Sequence, residues 1–275
     1  MAEPHIDYAV FRELSGFIQD RTGITLDQSK DYLIETRLGP LIREFQLDGY
    51  ADLLRKVRTD ARLLNRMIDE ISTNETSFFR DNSPFELLKY RLLPALMDRG
   101  RQGSGPITIW SAASSTGQEV YSIGIACREI MGAQAASKVR IIGTDISDSA
   151  VRRASLGAFS ELEIGRGMGA DLRDRYFTAS DGLWKIKDEL RAMASFRQMN
   201  LLEPFSGLGS FDIIFCRNVA IYFDAETRKA LFERLAKQLR PNGALIIGSS
   251  ETMIGVTDVF QRQEHMRCAY YTLRA

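Results

Sequence analysis

Residues 74–81, Asn-Glu-Thr-Ser-Phe-Phe-Arg-Asp, place an amide, hydroxyls, two aromatic rings and a guanidinium in one short stretch. That set suits holding a polar ligand and orienting an anion. The stretch follows an amphipathic run (Leu63, Leu64, Met67, Ile68, Ile71) and precedes Pro84, so it reads as a helix-to-loop transition whose side chains face a ligand. A capped helix end with a small aromatic cluster fits the same residues, and the stretch alone leaves both readings open.

A second constellation starts at Ser111-Ala-Ala-Ser-Ser-Thr-Gly-Gln-Glu119, a strand end, a turn of small residues and a helix start. Small residues let the backbone approach a ligand, and ligands of open α/β sheets sit beyond the carboxyl ends of the strands. Asp145 ends the next strand, where a carboxylate accepts both hydrogen bonds of a ribose diol. The turn lacks G-x-G-x-x-G, Gly117 and Asp145 are further apart than the ~20 residues of dinucleotide folds, and Glu119 repels phosphate. A nicotinamide oxidoreductase is therefore set aside. A cationic, phosphate-free nucleoside with the character of S-adenosylmethionine fits better. Alone, Glu119 equally suits an exposed carboxylate favoured by the helix dipole. Asn200 in Met199-Asn-Leu-Leu202 and Asn218 in Phe215-Cys-Arg-Asn-Val219 each follow a strand, where either suits reading adenine or a carboxylate, or capping a turn.

Other chemistries lack material. His5 and His265 are the only histidines, one near each end, so neither a metal centre nor a histidine-based triad is expected. Cys127, Cys216 and Cys268 are odd in number and without CxxC, which predicts reduced core thiols rather than disulfides or a zinc site. Acidic and basic residues balance at 36 each, against a general polyanion binder and so against a nucleic-acid partner. The N-terminus lacks a basic, apolar leader, and no apolar run approaches the ~20 residues of a membrane span. A soluble, cytoplasmic protein without membrane insertion is expected.

The elements that must position these residues follow from periodicity. Residues 1–73 read as a helical domain of three or four helices, with Phe11, Leu14, Phe17 and Ile18 on one face and Leu33, Leu38, Leu41 and Ile42 on another. Residues 74–105 read as a motif-bearing linker with a helix near Phe85 to Asp98, closed by a Gly- and charge-rich segment. Residues 106–275 alternate strands (at 107–113, 139–145, 211–216, 244–248 and 269–273) with helices, which predicts a doubly wound α/β sheet. At about 158–198 the rhythm breaks. There, Tyr176-Phe177 and Leu183–Lys187 flank Asp181-Gly182, a hairpin signal that predicts a small inserted antiparallel β-subdomain.

N-E-T-S-F-F-R-D, W-S-A-A-S-S-T-G-Q-E-V-Y-S, G-T-D-I-S, N-L-L, F-C-R-N-V-x-I-Y-F and L-R-P-N-G-A-L occur in this order over nearly the whole chain. In them the sequence resembles the chemotaxis receptor methyltransferases, the CheR family. The resemblance implies an α/β fold of the class I S-adenosylmethionine-dependent methyltransferases, with an N-terminal all-helical domain and the inserted β-subdomain. It implies methyl transfer from S-adenosylmethionine to glutamate carboxylates on chemoreceptor cytoplasmic helices, giving S-adenosylhomocysteine and methyl esters that serve sensory adaptation.

By motif position, the resemblance places cofactor contacts on Asn74, Thr76, Arg80, Glu119, Asp145, Asn200, Leu201, Arg217 and Asn218. It places an aromatic beside the transferred methyl at Tyr222, and receptor docking on Lys30, Arg37 and Arg43, on or near the second helix. Gly117-Gln118-Glu119 departs from the family's frequent G-E-E but keeps the second acid. Arg80, with its planar fork, is the residue expected to orient the substrate carboxylate. Thr178–Leu183 is short for the longer glycine-containing loop of members that hold a receptor C-terminal pentapeptide, so independence of that tether is expected. The alternative is a noncatalytic or differently targeted S-adenosylmethionine-binding protein in another chemosensory pathway.

Overall fold

In the computed structural model, which describes residues 5–100 and 105–274, four helices open the chain: α1 (Tyr8–Thr22), α2 (Asp31–Glu44), α3 (Tyr50–Val57) and α4 (Ala61–Ile71). Their ends follow from local chemistry. The Asp7 carboxylate accepts from the Ala9 N–H, Asp60 accepts from those of Arg62 and Leu63, and Gly23 closes α1 in the left-handed region at φ +77°. The apolar stripes meet in one core around Leu14, Ile18, Ile34, Leu38, Leu53 and Met67. A helix in three parts follows the polar stretch: α5 (Ser83–Leu87), a π-helical turn (Leu88–Leu92) and α6 (Leu93–Gly100).

The α/β domain runs β1 (Ile107–Ala112), α7 (Gln118–Met131), α8 (Ala135–Lys138), β2 (Val139–Asp145) and α9 (Asp148–Leu156). The insertion comes next, with β3 (Ala158–Phe159), α10 (Glu161–Gly165), α11 (Ala170–Tyr176), β4 (Phe177–Ser180) and β5 (Leu183–Ile186). After α12 (Asp188–Arg191) come β6 (Ala194–Gln198), β7 (Phe211–Cys216), α13 (Ala225–Gln238), β8 (Leu239–Ile247), β9 (Phe260–His265) and β10 (Cys268–Leu273).

The seven-stranded sheet has the order β6-β2-β1-β7-β8-β10-β9, parallel except where β10 joins β8 and β9. Central strands β1 and β7 are buried almost throughout, as sheets covered on both faces require. Helix α7 packs on one face of the sheet and α13 on the other. The chain reverses its winding between β1 and β7, so their carboxyl ends flank a crevice of the kind that binds ligands in open sheets.

The doubly wound sheet, helical N-terminal domain and inserted antiparallel sheet are all present. Three details differ from the expectation. The small sheet has the order β3-β5-β4, while β6 pairs in parallel with β2, so the insertion ends before Ala194 rather than at about 198. Helices α10 and α11 take up much of the insertion, and Tyr176 ends α11 rather than opening a strand. Strand β9, Phe-Gln-Arg-Gln-Glu-His, was not expected from its polarity, which suits an edge strand guarded by charge. The Asp181-Gly182 turn is as expected, with φ +55° and +76° between β4 and β5.

Candidate active site

At the carboxyl ends of β1, β2 and β7 lies a cleft whose empty space, mouth included, is about 900 Å³. It has walls from both domains. Asn74, Thr76, Arg80, Glu119, Asp145, Asn200, Leu201, Arg217, Asn218 and Tyr222 all line it. So do Thr22, the last residue of α1, and Ile24 from the turn that follows, neither of them among the expected site residues.

The paired phenylalanines explain how the polar stretch is held. Phe78 sits edge-on to Phe159 and Phe177 of the insertion, with centroids at 4.9 and 5.5 Å, and Phe79 packs edge-on to Phe85 of α5 at 5.2 Å. The Phe79 N–H donates to Ser122 Oγ of α7 at 3.0 Å. With the rings anchored away from the cleft, Asn74, Thr76 and Arg80 remain along it. The stretch is thus an aromatic cluster on one side and a cleft-lining strap on the other. The half-buried Arg80 donates through Nη1 to the Glu75 carbonyl at 2.8 Å and has no carboxylate partner among the described residues.

Asp145 closes β2 with its carboxylate held by the backbone. Oδ2 accepts from Ser115 N–H at 2.8 Å and Oδ1 from Ser147 N–H at 3.0 Å. Burial pushes its carboxyl above the usual range, against the pull of those N–H groups, and the charge of nearby Asp69 pushes the same way. Each oxygen keeps acceptor capacity for a diol. The adjoining turn places Ala113, Ser115 and Gly117 at φ +62°, +50° and +97°, a cramped conformation that small residues tolerate best.

Arg217 is the buried keystone of the site. Its side chain is only 2% exposed; Nη1 donates to Glu119 Oε2 at 2.7 Å, and Nη2 to Asp81 Oδ2 at 2.7 Å and to the Arg80 carbonyl at 2.9 Å. Glu119 Oε1 accepts from Ser111 Oγ at 2.8 Å. One cation thus ties the end of β7, the first turn of α7 and the strap together. Asp81, absent from the expected site residues though inside the motif, is what the strap contributes.

The two asparagines are partly committed to the protein. Asn200 donates its amide to the Arg21 carbonyl at 2.8 Å and accepts from Leu202 N–H at 3.0 Å, so its side chain joins the domains. Asn218, at φ +57°, has its N–H held by Glu251 Oε2 at 2.9 Å, an oxygen that also accepts from Gly248 N–H at 2.6 Å. Sequence reasoning missed Glu251 because an acid in an aperiodic loop carries no pattern. Tyr222 ends a 3-10 turn (Ala220–Tyr222), and its carbonyl accepts from Thr25 N–H at 2.9 Å.

The family described as CheR methyltransferase, SAM binding domain matches residues 74–268, and that described as CheR methyltransferase, all-alpha domain matches residues 9–72. The chain belongs to the CheR methyltransferase family. It is 41% identical over 263 residues to the chemotaxis protein methyltransferase of Vibrio anguillarum, covering 94% of this chain and 93% of that one. Identity is 38% over 267 residues to chemotaxis protein methyltransferase 1 of Pseudomonas aeruginosa, covering 95% of each chain. For chemotaxis protein methyltransferase Cher2 of Pseudomonas putida it is 36% over 273 residues, again 95% of each.

S-adenosylmethionine, the donor of this family, fits the residues present. Asp145 offers a pre-oriented carboxylate for a diol, the small-residue turn permits close approach, and the cleft is of a size for one nucleoside-containing ligand. The triad of Arg217, Asp81 and Glu119 carries one more formal negative than positive charge, which suits a cationic donor. Burial pushes the Cys127 thiol up to about 12 and Cys216 well above its ordinary value, so neither is a thiolate nucleophile near neutral pH. Among the described residues no group of three or more His, Cys, Asp or Glu is arranged to hold a metal ion. No helix among them is long and apolar enough to cross a membrane.

The three cations expected to dock the receptor have unequal freedom. Lys30 pairs with Asp27 at 3.1 Å, and Arg37 donates to the Ile71 carbonyl at 2.6 Å and to Thr73 Oγ1 at 3.2 Å. Arg37 is therefore a staple between α2 and the start of the strap. Arg43 is exposed.

Proposed function

We propose that this protein methylates glutamate side chains of chemoreceptor cytoplasmic helices. The observation that carries the reading is that one cleft joins Asp145 at the end of β2, Arg80 of the strap and the turn of the helical domain next to α2. The cleft that would hold the donor is thus bordered by the helical domain that carries α2.

The acceptor needs little chemical help. A glutamate, with an ordinary pKa of about 4.3, is already a carboxylate at neutral pH, so no general base is required, consistent with a cleft without histidine. Asn74, Thr76, Glu119, Asp145, Asn200, Leu201, Arg217 and Asn218 would hold S-adenosylmethionine. When bound, it would supply an electrophilic methyl on a sulfonium, with the uncharged thioether sulfur of S-adenosylhomocysteine as the leaving group. The protein's work is alignment and exclusion of water. Arg80, its Nη1 tethered to Glu75, orients the incoming carboxylate, and Tyr222 lines the transfer point. A looser pairing than a full bidentate clamp keeps the nucleophile reactive.

Docking falls to the exposed side of α2, where Arg43 lies beside Tyr32, Thr36 and Pro40, all exposed. The two-residue turn between β4 and β5 supports a protein that does not capture a receptor C-terminal pentapeptide. The test is transfer of labelled methyl to a receptor cytoplasmic fragment as base-labile ester, with Arg80→Ala and Arg43→Glu as variants. Both variants are expected to lose transfer, Arg43→Glu with unchanged cofactor affinity. Normal cofactor binding with no esterification would refute the function, and calorimetric binding of the pentapeptide would overturn tether independence.

A further inference from the structure

We propose that the Thr22–Thr25 turn of the helical domain is a positioning element of the cofactor and methyl-transfer site, acting through Gly23 on Phe223 and through Thr25 on Tyr222. The proposal rests on the reading of this cleft as the donor site. Helix α1 ends with the Gly23 N–H donating to the Gln19 carbonyl at 2.7 Å, and Gly23 at φ +77°. A Cβ on Gly23 would lie 2.8 Å from the Phe223 ring and 3.1 Å from Leu202 Cδ2. The bare backbone therefore rests directly on a ring that lines the cleft. Two residues on, the Thr25 N–H holds the Tyr222 carbonyl at 2.9 Å.

The contacts on either side show that this is a built junction. Asn200 donates to the Arg21 carbonyl at 2.8 Å, and Gln19 Nε2 donates to Asp224 Oδ2 at 2.8 Å. The other oxygen of Asp224 caps α13 through the Thr227 N–H at 2.7 Å. From the far side, Arg228 and Arg234 of α13 donate to the Phe223 and Leu201 carbonyls at 3.1 and 2.5 Å. The segment bearing Tyr222 and Phe223 is thus clamped between α13 and a turn of the other domain. Its position is set by the helical domain as much as by the sheet. A close-packed contact of this kind transmits displacement rather than absorbing it.

The experiment compares Gly23→Ala, Phe223→Leu and the double variant in the full chain, with Gly209→Ala as control. Gly209 has nearly the same φ, +79°, but a methyl added there would meet nothing within 4 Å, so it reports backbone strain without the contact. The readouts are S-adenosylhomocysteine affinity by calorimetry, kcat and KM for methyl transfer, and melting temperature. Gly23→Ala is expected to weaken affinity roughly tenfold, the low end of what overpacking by one methyl costs, and to lower kcat. Adding Phe223→Leu is expected to bring affinity back to that of Phe223→Leu alone. Gly209→Ala should lower the melting temperature by the backbone strain alone, less than Gly23→Ala does, and leave affinity alone.

Wild-type affinity in Gly23→Ala, or a loss that Phe223→Leu does not relieve, overturns the proposal. Should Gly23→Ala not fold, Gln19→Ala, which removes only the bond to Asp224, is expected to weaken affinity about threefold; no change overturns the proposal equally. Affinity is read without any methyl acceptor, so a protein that binds the product yet esterifies nothing defeats the proposed function and not this inference.

Discussion

Replacing Arg217 with methionine separates two roles for that residue, a direct cofactor contact and a clamp on the strap. The guanidinium is 2% exposed and makes charge-assisted bonds to Glu119, Asp81 and the Arg80 carbonyl, with the Phe85 ring 5.9 Å away. Removing one partner from a buried ion pair costs about 3–5 kcal/mol, because the remaining charges stay buried and unpaired. Here Asp81 is 32% exposed and regains water, whereas Glu119 is 12% exposed and does not. The lower end, about 3 kcal/mol, follows. For a chain of this size that corresponds to a fall in melting temperature of about 6–12 °C.

Urea denaturation and calorimetric titration of S-adenosylhomocysteine, run on Arg217→Met and Arg217→Lys, provide the assay. The lysine keeps a charge but not the fork, so it retains one carboxylate partner at most and falls between methionine and wild type. Lost affinity accompanied by lost stability is the expected result, since the strap carrying Asn74, Thr76 and Arg80 comes loose with Asp81. Methionine at full stability with weakened cofactor binding would refute the clamp and favour direct contact. An unchanged protein in both assays would refute both.

Asp145 carries a pH signature. Its folded carboxyl titrates above the ordinary ~3.9, and only the anion accepts both diol hydrogens. Affinity for S-adenosylhomocysteine is therefore expected to be full at neutral pH and to fall with acid at a pH above the ordinary carboxylate value. Asp145→Asn should bind weakly at all pH and lose that acid limb; titrations retaining the limb would refute the assignment. At Gly167, φ +96°, a Cβ would lie 2.0 Å from the Phe78 carbonyl oxygen. Gly167→Ala is expected to cost about 2 kcal/mol or more and to weaken cofactor binding by displacing the strap, and a wild-type urea midpoint would contradict this.

Much of the architecture was legible because the determinants are local. Strands β1 and β7 announce themselves as short runs rich in apolar residues, Asp181-Gly182 dictates a hairpin turn, and Asp145 follows from its place at the end of a strand. The illegible parts depend on partners distant in sequence. Polar β9 is a strand only because β10 pairs with it, and β6 belongs to the main sheet only because β2 lies beside it. The same holds in the site. That Asn200 is spent on Arg21, that Arg37 staples the start of the strap, and that Glu251 fixes Asn218 are bonds across 179, 34 and 33 positions. Residue type shows what a side chain is able to bond, but only the fold shows which bond it makes.

This division also accounts for the composition of the Asn74–Asp81 stretch. A strap that crosses between domains and lines a polar cleft has little apolar surface of its own to bury, so it is held at points. Phe78 enters the insertion, Phe79 packs on α5, and Asp81 closes on Arg217. Each anchor reaches a different element, which fixes the strap in orientation as well as position. Asn74, Glu75, Thr76 and Arg80 then line the cleft on a backbone held largely by these anchors. Arg80 is the instructive case: its neighbours on both sides are anchors, its own carbonyl is held by Arg217, and its guanidinium is left with one neutral backbone partner. A cation so placed, with its backbone fixed and no carboxylate partner among the described residues, is the one the proposed function sets against the incoming acid.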